Sequence, residues 1–255
     1  MKLFLLLVLA VCHHAAAYPT KVEDINDIVN GYNCPRKSKP WQVFLKFQTE
    51  EGGSFCGGSL INQNWILSAA HCMGLPGTMV AYLGEQVLSE PDFTEQEIAA
   101  VKQIQHPNYN PETLNNDIML IKLAQPAQYN QYVQSIPLPT SCVATGTWCT
   151  VSGWGDTIPG EMSADALQCL NLPILSSALC EESYPAVYSN NMMCAGFMRG
   201  QQDSCQGDSG GPLECNGQLQ GVVSFGKGCA LAGYPGVYTK VCNYNTWISQ
   251  TMSDN

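Results

Sequence analysis

From residue 28 onward, short apolar runs alternate with breaks of Gly, Pro and Asn, the texture of strands joined by turns. Runs at 42–47, 59–62, 65–68, 117–123, 147–153, 219–225 and 236–241 predict strands, with Gln63-Asn64 between the second and third. Helical spacing is convincing only at the end. There Tyr244, Trp247, Ile248 and Met252 fall on one face, with Asn243 as the expected N-cap. Many short strands with turn signals imply an all-β barrel or sandwich architecture. The Pro-rich segment 125–140 divides the chain beyond residue 27 nearly in half.

The first 27 residues differ. Lys2, the apolar run 3–11 and Ala15-Ala16-Ala17 form the three parts of a secretory signal peptide, residues 1–17. The run is far shorter than the ~20 apolar residues of a membrane span. Residues 18–27 are polar, acidic and without period, as expected of a pro-segment or a flexible arm. The chain is thus read as secreted to the extracellular space, with no membrane partner.

That compartment decides how the cysteines are read. Cys12 leaves with the signal, and twelve of the thirteen remain in an oxidising setting. They are expected to form six disulfides rather than metal thiolates, with the connectivity left open by sequence. The formal charge is −10, and from Ile28 on eighteen acidic side chains face nine basic ones. A nucleic-acid binder needs a basic patch, so that class is excluded.

The candidate chemistry centres on Ser209, set in Gly207-Asp208-Ser209-Gly210-Gly211-Pro212 with Asp203 six residues earlier. Flanking glycines allow a turn that exposes the hydroxyl and aims N–H groups at a developing oxyanion. A serine hydroxyl needs a general base, and histidine suits working pH. His13 and His14 leave with the signal, so the base is His71 or His106. His71 closes a predicted strand and is tethered by Cys72, whereas His106 sits in a turn-like His-Pro-Asn setting. Asp117 leads the apolar run Ile118-Met119-Leu120-Ile121, where a carboxylate with no role would be costly.

Ala69-Ala70-His71-Cys72, Asn116-Asp117-Ile118-Met119-Leu120 and the Gly207–Pro212 run, in that order, resemble the trypsin branch of the chymotrypsin-fold serine proteases. The resemblance implies two six-stranded antiparallel β-barrels, about 28–134 and 135–255, a C-terminal α-helix and a site in the cleft between them. It implies Ser209 as nucleophile, His71 as base and Asp117 as its orienting partner, with Ser224 supporting Asp117. The N–H groups of Gly207 and Ser209 form the implied oxyanion hole. Asp203, with Ser204, Ser224, Phe225, Gly226 and Gly236, forms the implied substrate pocket, selecting Arg or Lys. Phe225 stands where Trp is usual, and Lys227 adds a positive charge near the groove. The implied disulfides are Cys34–Cys169, Cys56–Cys72, Cys142–Cys242, Cys149–Cys215, Cys180–Cys194 and Cys205–Cys229. A calcium loop is implied over 85–95, with ligands from Glu85, Val87, Glu90, Asp92 and Glu95. The implied partners are Arg/Lys-containing peptides and proteins and protein protease inhibitors; the implied state is a monomer.

The family's zymogens are activated by freeing an Ile-Val terminus that buries its ammonium against the aspartate beside the nucleophile. Ile28 and Asp208 match that pair, but Asp27 precedes Ile28 where Lys or Arg is usual. Three routes stay open: a protease that accepts Asp, cleavage after Lys21 followed by removal of three dipeptides, or a zymogen left unactivated. The rival class is therefore a non-catalytic or zymogen-locked secreted binding protein on a protease scaffold.

Overall fold

The computed structural model describes residues 31–49, 52–75, 77–90, 94–155, 164–200, 208–228 and 230–255. In chain order its strands are β1 (Tyr32–Asn33), β2 (Gln42–Thr49), β3 (Gly52–Asn62), β4 (Trp65–Ser68), β5 (Thr78–Leu83), β6 (Gln96–Gln105) and β7 (Met119–Leu123). They continue with β8 (Trp148–Gly153), β9 (Gln168–Pro173), β10 (Met192–Ala195), β11 (Pro212–Cys215), β12 (Gln218–Phe225) and β13 (Gly236–Lys240). Helix α1 spans Ser177–Ser183 and α2 spans Asn245–Ser253.

β2 to β7 close a six-stranded antiparallel barrel in the order β2-β3-β4-β7-β6-β5. Closure leaves no edge to aggregate and turns the inward side chains into a filled core. Leu45, Leu60, Ile66, Leu67, Leu83 and Leu120 fill it. The same core takes in Val222 from β12 and Ile248 from α2, so the two halves share apolar packing. The second unit is not a six-stranded barrel. It is a curled seven-stranded sheet ordered β1-β9-β8-β11-β12-β13-β10, packed around Val151, Leu170, Leu213 and Tyr238. The extra strand is β1, which the N-terminal segment lends to β9 through Tyr32–Cys169 and Asn33–Gln168 pairing.

Five of the six expected disulfides are formed: Cys34–Cys169, Cys56–Cys72, Cys142–Cys242, Cys149–Cys215 and Cys180–Cys194. Cys205 and Cys229 lie outside the described residues, as do the expected signal and pro-segments. The C-terminal helix forms, but Asn243 is not its cap. Asn243 ends a 3-10 turn and donates instead to the Asn190 carbonyl at 3.0 Å and to Asn191 Oδ1 at 3.1 Å. Among the described residues no helix is long and apolar enough to cross a membrane.

Candidate active site

His71 lies in a 3-10 turn, Ala70–Gly74, that leaves β4 and is stapled to β3 by Cys56–Cys72. Asp117 comes from the loop before β7, where Leu114 and Asn116 both take left-handed backbone angles. Asparagine tolerates that region better than most residues, which suits Asn116 to the bend. The strand pair β4–β7 aligns Ser68 with Met119, so it brings the two loops side by side.

The Asp117 side chain is fully buried, and the His71 side chain is 27% exposed. Oδ1 of Asp117 accepts the His71 backbone N–H at 2.9 Å, while Oδ2 lies 2.7 Å from His71 Nδ1. Oδ2 also accepts the Ser224 hydroxyl at 2.5 Å. An ionised carboxylate only accepts, so three converging donors satisfy it where water cannot reach. With Nδ1–H committed to Asp117, Nε2 is left as the acceptor, the tautomer a general base requires. From below, Thr239 Oγ1 donates to the Asp117 carbonyl at 2.7 Å. Nothing in the sequence pattern distinguishes Thr239 for this, because its role depends on β13 crossing beneath the loop.

Two nearby phenols feel the same carboxylate. Burial, reinforced by the Asp117 charge, pushes the Tyr109 phenol up to about 12. The same two causes raise Tyr244, whose hydroxyl donates to Asn116 Oδ1 at 3.0 Å. Both stay protonated and serve as neutral walls. His106, the other candidate base, stacks edge-on to Tyr244 and Trp247 at ring distances of 5.3 and 5.0 Å. Its Nδ1 accepts the Asn108 N–H at 3.2 Å, and burial lowers its pKa. It is a packing histidine.

Ser209 sits in a turn wedged between the two sheets. Its carbonyl accepts the Gly57 N–H at 2.7 Å, and Cys72 Sγ lies 3.9 Å from the same oxygen. Gly210 has φ +81°, and a Cβ there would lie 2.2 Å from Ser68 Oγ. A Cβ on Gly57 would lie 2.8 Å from Gly211 Cα. These glycines are required by close approach, and together they set Ser209 against the segment that carries His71. Asp208 is fully buried beside it; its Oδ1 accepts the Gly155 N–H at 3.0 Å. A Cβ on Gly153 would fall 2.1 Å from that oxygen.

The remaining expected residues divide. Gly236 pairs with Ala195 across β10–β13, and Gly226 is exposed with space beside it. Phe225 ends β12 and packs edge-on to Tyr184 at 5.5 Å. Lys227 stacks on Tyr234 at 4.2 Å and donates to its hydroxyl at 3.1 Å, which fixes its charge to that phenol. Asp203, Ser204, Gly207, Ile28 and Asp92 lie outside the described residues.

A buried Ser-Asp-His relay between a closed antiparallel barrel and a second curled β-sheet, with a glycine-bounded serine turn beside it, defines a chymotrypsin-fold serine hydrolase. The trypsin family model matches residues 28–248, and the chain belongs to that family. It is 55% identical to trypsin I-P1 of Gallus gallus over 240 residues, covering 94% of each chain. It is 53% identical to trypsin-3 of Salmo salar, covering 94% of this chain and 100% of that one. To the trypsin of Xenopus laevis it is 53% identical over 91% of this chain and 93% of that one.

Proposed function

We propose that the chain is a secreted serine endopeptidase cutting after Arg or Lys, made with a signal peptide (1–17) and a pro-segment (18–27) before the protease unit (28–255). The observation that carries the catalytic reading is the His71–Asp117 pair, buried on its Asp side and open on its His side. Ser209 is the nucleophile: its turn is pinned against the His71 segment, whereas the Ser224 hydroxyl is buried and committed to Asp117. Ser209 attacks the scissile carbonyl as His71 Nε2 takes its proton, and His71 gives that proton to the leaving amine as the acyl-enzyme forms; water then attacks the acyl carbonyl as His71 takes its proton, which passes to the departing Ser209 oxygen. The N–H groups of Gly207 and Ser209 receive the oxyanion.

Arg/Lys selection rests on Asp203 as the counter-charge of the pocket, with Ser204, Gly226 and Gly236 leaving room for a long side chain. The relatives named trypsin support it. The test is hydrolysis of a small Arg substrate by an Asp27→Arg protein cut by an Arg-specific activator. Turnover that Asp203→Ser abolishes supports the reading, and no turnover together with an unlabelled Ser209 in a phosphonylating reagent sinks it.

Calcium is proposed in the β5–β6 connection. Pairing of Leu83 with Gln96 brings Glu85 and Glu95 to the mouth of one loop, and carboxylates with backbone carbonyls are the donor set calcium prefers. Glu85, Val87, Glu90, Asp92 and Glu95 would hold the ion, whose part is structural. The close cluster Cys56, His71 and Cys72 is no rival, because its sulfurs form a disulfide. Protein inhibitors that present Arg or Lys, and a monomeric state, complete the proposal.

A second reading is favoured by one residue. Asp27 before Ile28 bars trypsin-type activation, because a pocket carboxylate repels an acid at that position. Sequencing the N-terminus of the secreted protein separates the routes. Ile28 supports an active enzyme, while a terminus fixed at Tyr18 or Val22 supports a zymogen-locked binding protein.

A further inference from the structure

Asp117 belongs by sequence to the first barrel, since the 106–118 loop joins β6 to β7. The groups that hold this loop in place come mostly from the other half of the molecule. The Ile118 N–H bonds back to the Asn116 carbonyl at 2.8 Å, closing a three-residue turn with Asp117 at its apex. Whatever fixes Asn116 therefore fixes the direction in which the carboxylate leaves the chain.

Asn116 has φ +59°, a region that glycine would occupy more readily. Its side chain shows why asparagine stands there instead. Oδ1 accepts the Tyr244 hydroxyl at 3.0 Å and the Asn191 Nδ2 group at 3.2 Å, which fills both lone pairs. Nδ2 donates to the Asn108 carbonyl at 2.8 Å, within its own loop. Tyr244 precedes α2 and Asn191 precedes β10, so both donors belong to the second half.

Asn191 is itself oriented. Its Oδ1 accepts the Asn243 Nδ2 group at 3.1 Å, which turns its own Nδ2 toward the loop. That Nδ2 also reaches Asn115 Oδ1 at 3.3 Å, and the Ser189 hydroxyl donates to the same oxygen at 2.7 Å. The Asn191 carbonyl accepts the Lys240 N–H at 2.9 Å, so β13 anchors its backbone. β13 also carries Thr239, the donor to the Asp117 carbonyl. Burial and the Asp117 charge keep the Tyr244 phenol protonated, so it remains a donor at working pH.

We propose that Asn116 and Asn191, with the Tyr244 hydroxyl, are positioning residues of the reaction: an amide clamp across the two halves that aims Asp117 at His71. They act through the Asp117 turn, whose Oδ2 lies 2.7 Å from His71 Nδ1. Small displacements matter there, because an ångström lost from a reacting geometry can cost ~10²-fold in rate. The clamp also ties the catalytic pair to assembly of the whole molecule. The first barrel supplies His71 and Asp117, but the second half supplies the donors that orient the loop between β6 and β7.

The inference rests on the Ser-His-Asp reading proposed above, and two readouts keep the two apart. The first is turnover of a small Arg substrate by activated Asp27→Arg protein. Tyr244→Phe keeps the ring against His106 and Trp247 and removes only the hydroxyl. That variant and Asn191→Ala should each lower kcat about 3–10-fold with KM within about twofold of the parent. Asn116→Gly keeps the left-handed bend and loses the clamp, so kcat should fall roughly 10–100-fold, and adding Asn191→Ala should cost less than about twofold more. Ile98→Val, a core truncation elsewhere in the barrel, is the control, expected to lower the melting temperature and leave kcat unchanged.

The second readout needs no turnover. The low-field Nδ1 proton of His71 is followed by NMR in the Ser209→Ala chain, where Tyr244→Phe and Asn191→Ala should each shift or broaden it. Should Asn116→Gly fail to fold, those two variants still decide. An unmoved resonance in both overturns the proposal, as does parental kcat in both with a melting temperature lowered as in Ile98→Val. An inert parent whose resonance moves in both variants removes only the activity reading.

Discussion

The Ser224 hydroxyl and the His71 ring converge on one oxygen of Asp117, at 2.5 and 2.7 Å. The chain thus offers two serines near its base, and they have opposite surroundings. Ser224 is 6% exposed and faces the carboxylate, while Ser209 is half-buried in a turn against the His71 segment. Ser224→Ala removes one charge-assisted hydrogen bond of about 1.5–3 kcal/mol, so kcat should fall roughly 10–100-fold with KM little changed. Phosphonylation of the serine should persist in Ser224→Ala and vanish in Ser209→Ala. The reverse pattern would exchange their roles.

Gly153 has no space for a methyl group beside Asp208, since a Cβ would fall 2.1 Å from Oδ1. Gly153→Ala should therefore displace Asp208 while leaving the His71–Asp117 pair in place. Activity on a small Arg ester should drop at least about tenfold, and the low-field Nδ1 proton resonance of His71 should remain. Unchanged turnover would show that Asp208 can move without consequence.

Lys39 and Glu214 tie the segment before β2 to β11 in the other sheet, with side chains only 10% and 17% exposed. Glu214 also accepts the Gly217 N–H at 2.7 Å, so it stays fixed if its partner goes. Lys39→Met should cost about 1–3 kcal/mol, less than a fully buried pair because solvent still reaches both groups. A double-mutant cycle with Glu214→Gln, read by urea unfolding, measures the coupling; a coupling near zero would make the tie incidental.

Burial among Tyr244, Trp247 and the 106–109 turn lowers the His106 pKa from 6.5. A folded state that disfavours the imidazolium binds fewer protons than the unfolded chain below pH 6.5. The His106 contribution is therefore complete above that pH and is lost as pH falls through 6.5 toward the lower folded value. Unfolding free energy should decline over this range, and His106→Phe should flatten that part of the profile. A profile identical in both proteins would assign the decline elsewhere.

If the β5–β6 connection holds calcium, chelation should lower the melting temperature and added calcium restore it. At a hundredfold excess over Kd the ion adds about 2.7 kcal/mol. Glu85→Gln/Glu95→Gln should remove the calcium response while leaving the Tm in chelator within a degree or two of the parent in chelator, a tolerance typical of surface substitutions. A full calcium response in that variant would place the ion elsewhere.

Much of the site was legible because its chemistry uses rare residues in fixed settings. Only two of the four histidines, His71 and His106, lie beyond the apolar N-terminal stretch, and one lies beside a cysteine at a strand end. Short apolar runs between turn residues also marked β2, β4, β7, β8, β12 and β13. The pattern failed for β6, where Ile98 alone is fully buried and the polar positions obscure the period. Helix α1, seven residues capped by Ser176, is too short to display a face. Asn243 looked like a cap because only local sequence was considered; its partners Asn190 and Asn191 lie some fifty residues away. Thr239 and Gly155 were equally silent, since each acts on a residue that only the tertiary fold brings near. The seven-stranded second sheet could not be read either, because two residues carry no periodicity.

Those two residues have a consequence for how the molecule is made. β1 emerges first, yet its partner β9 lies 135 positions away along the Cys34–Cys169 connection. Every strand of the closed barrel, from Gln42 to Leu123, leaves the ribosome in between. The barrel can thus complete itself during synthesis while β1 waits unpaired, and the later half must return to collect it. Pairing at such a separation forms slowly and late. Closing this pair is therefore expected to join the first strand made to one that emerges only after the whole barrel.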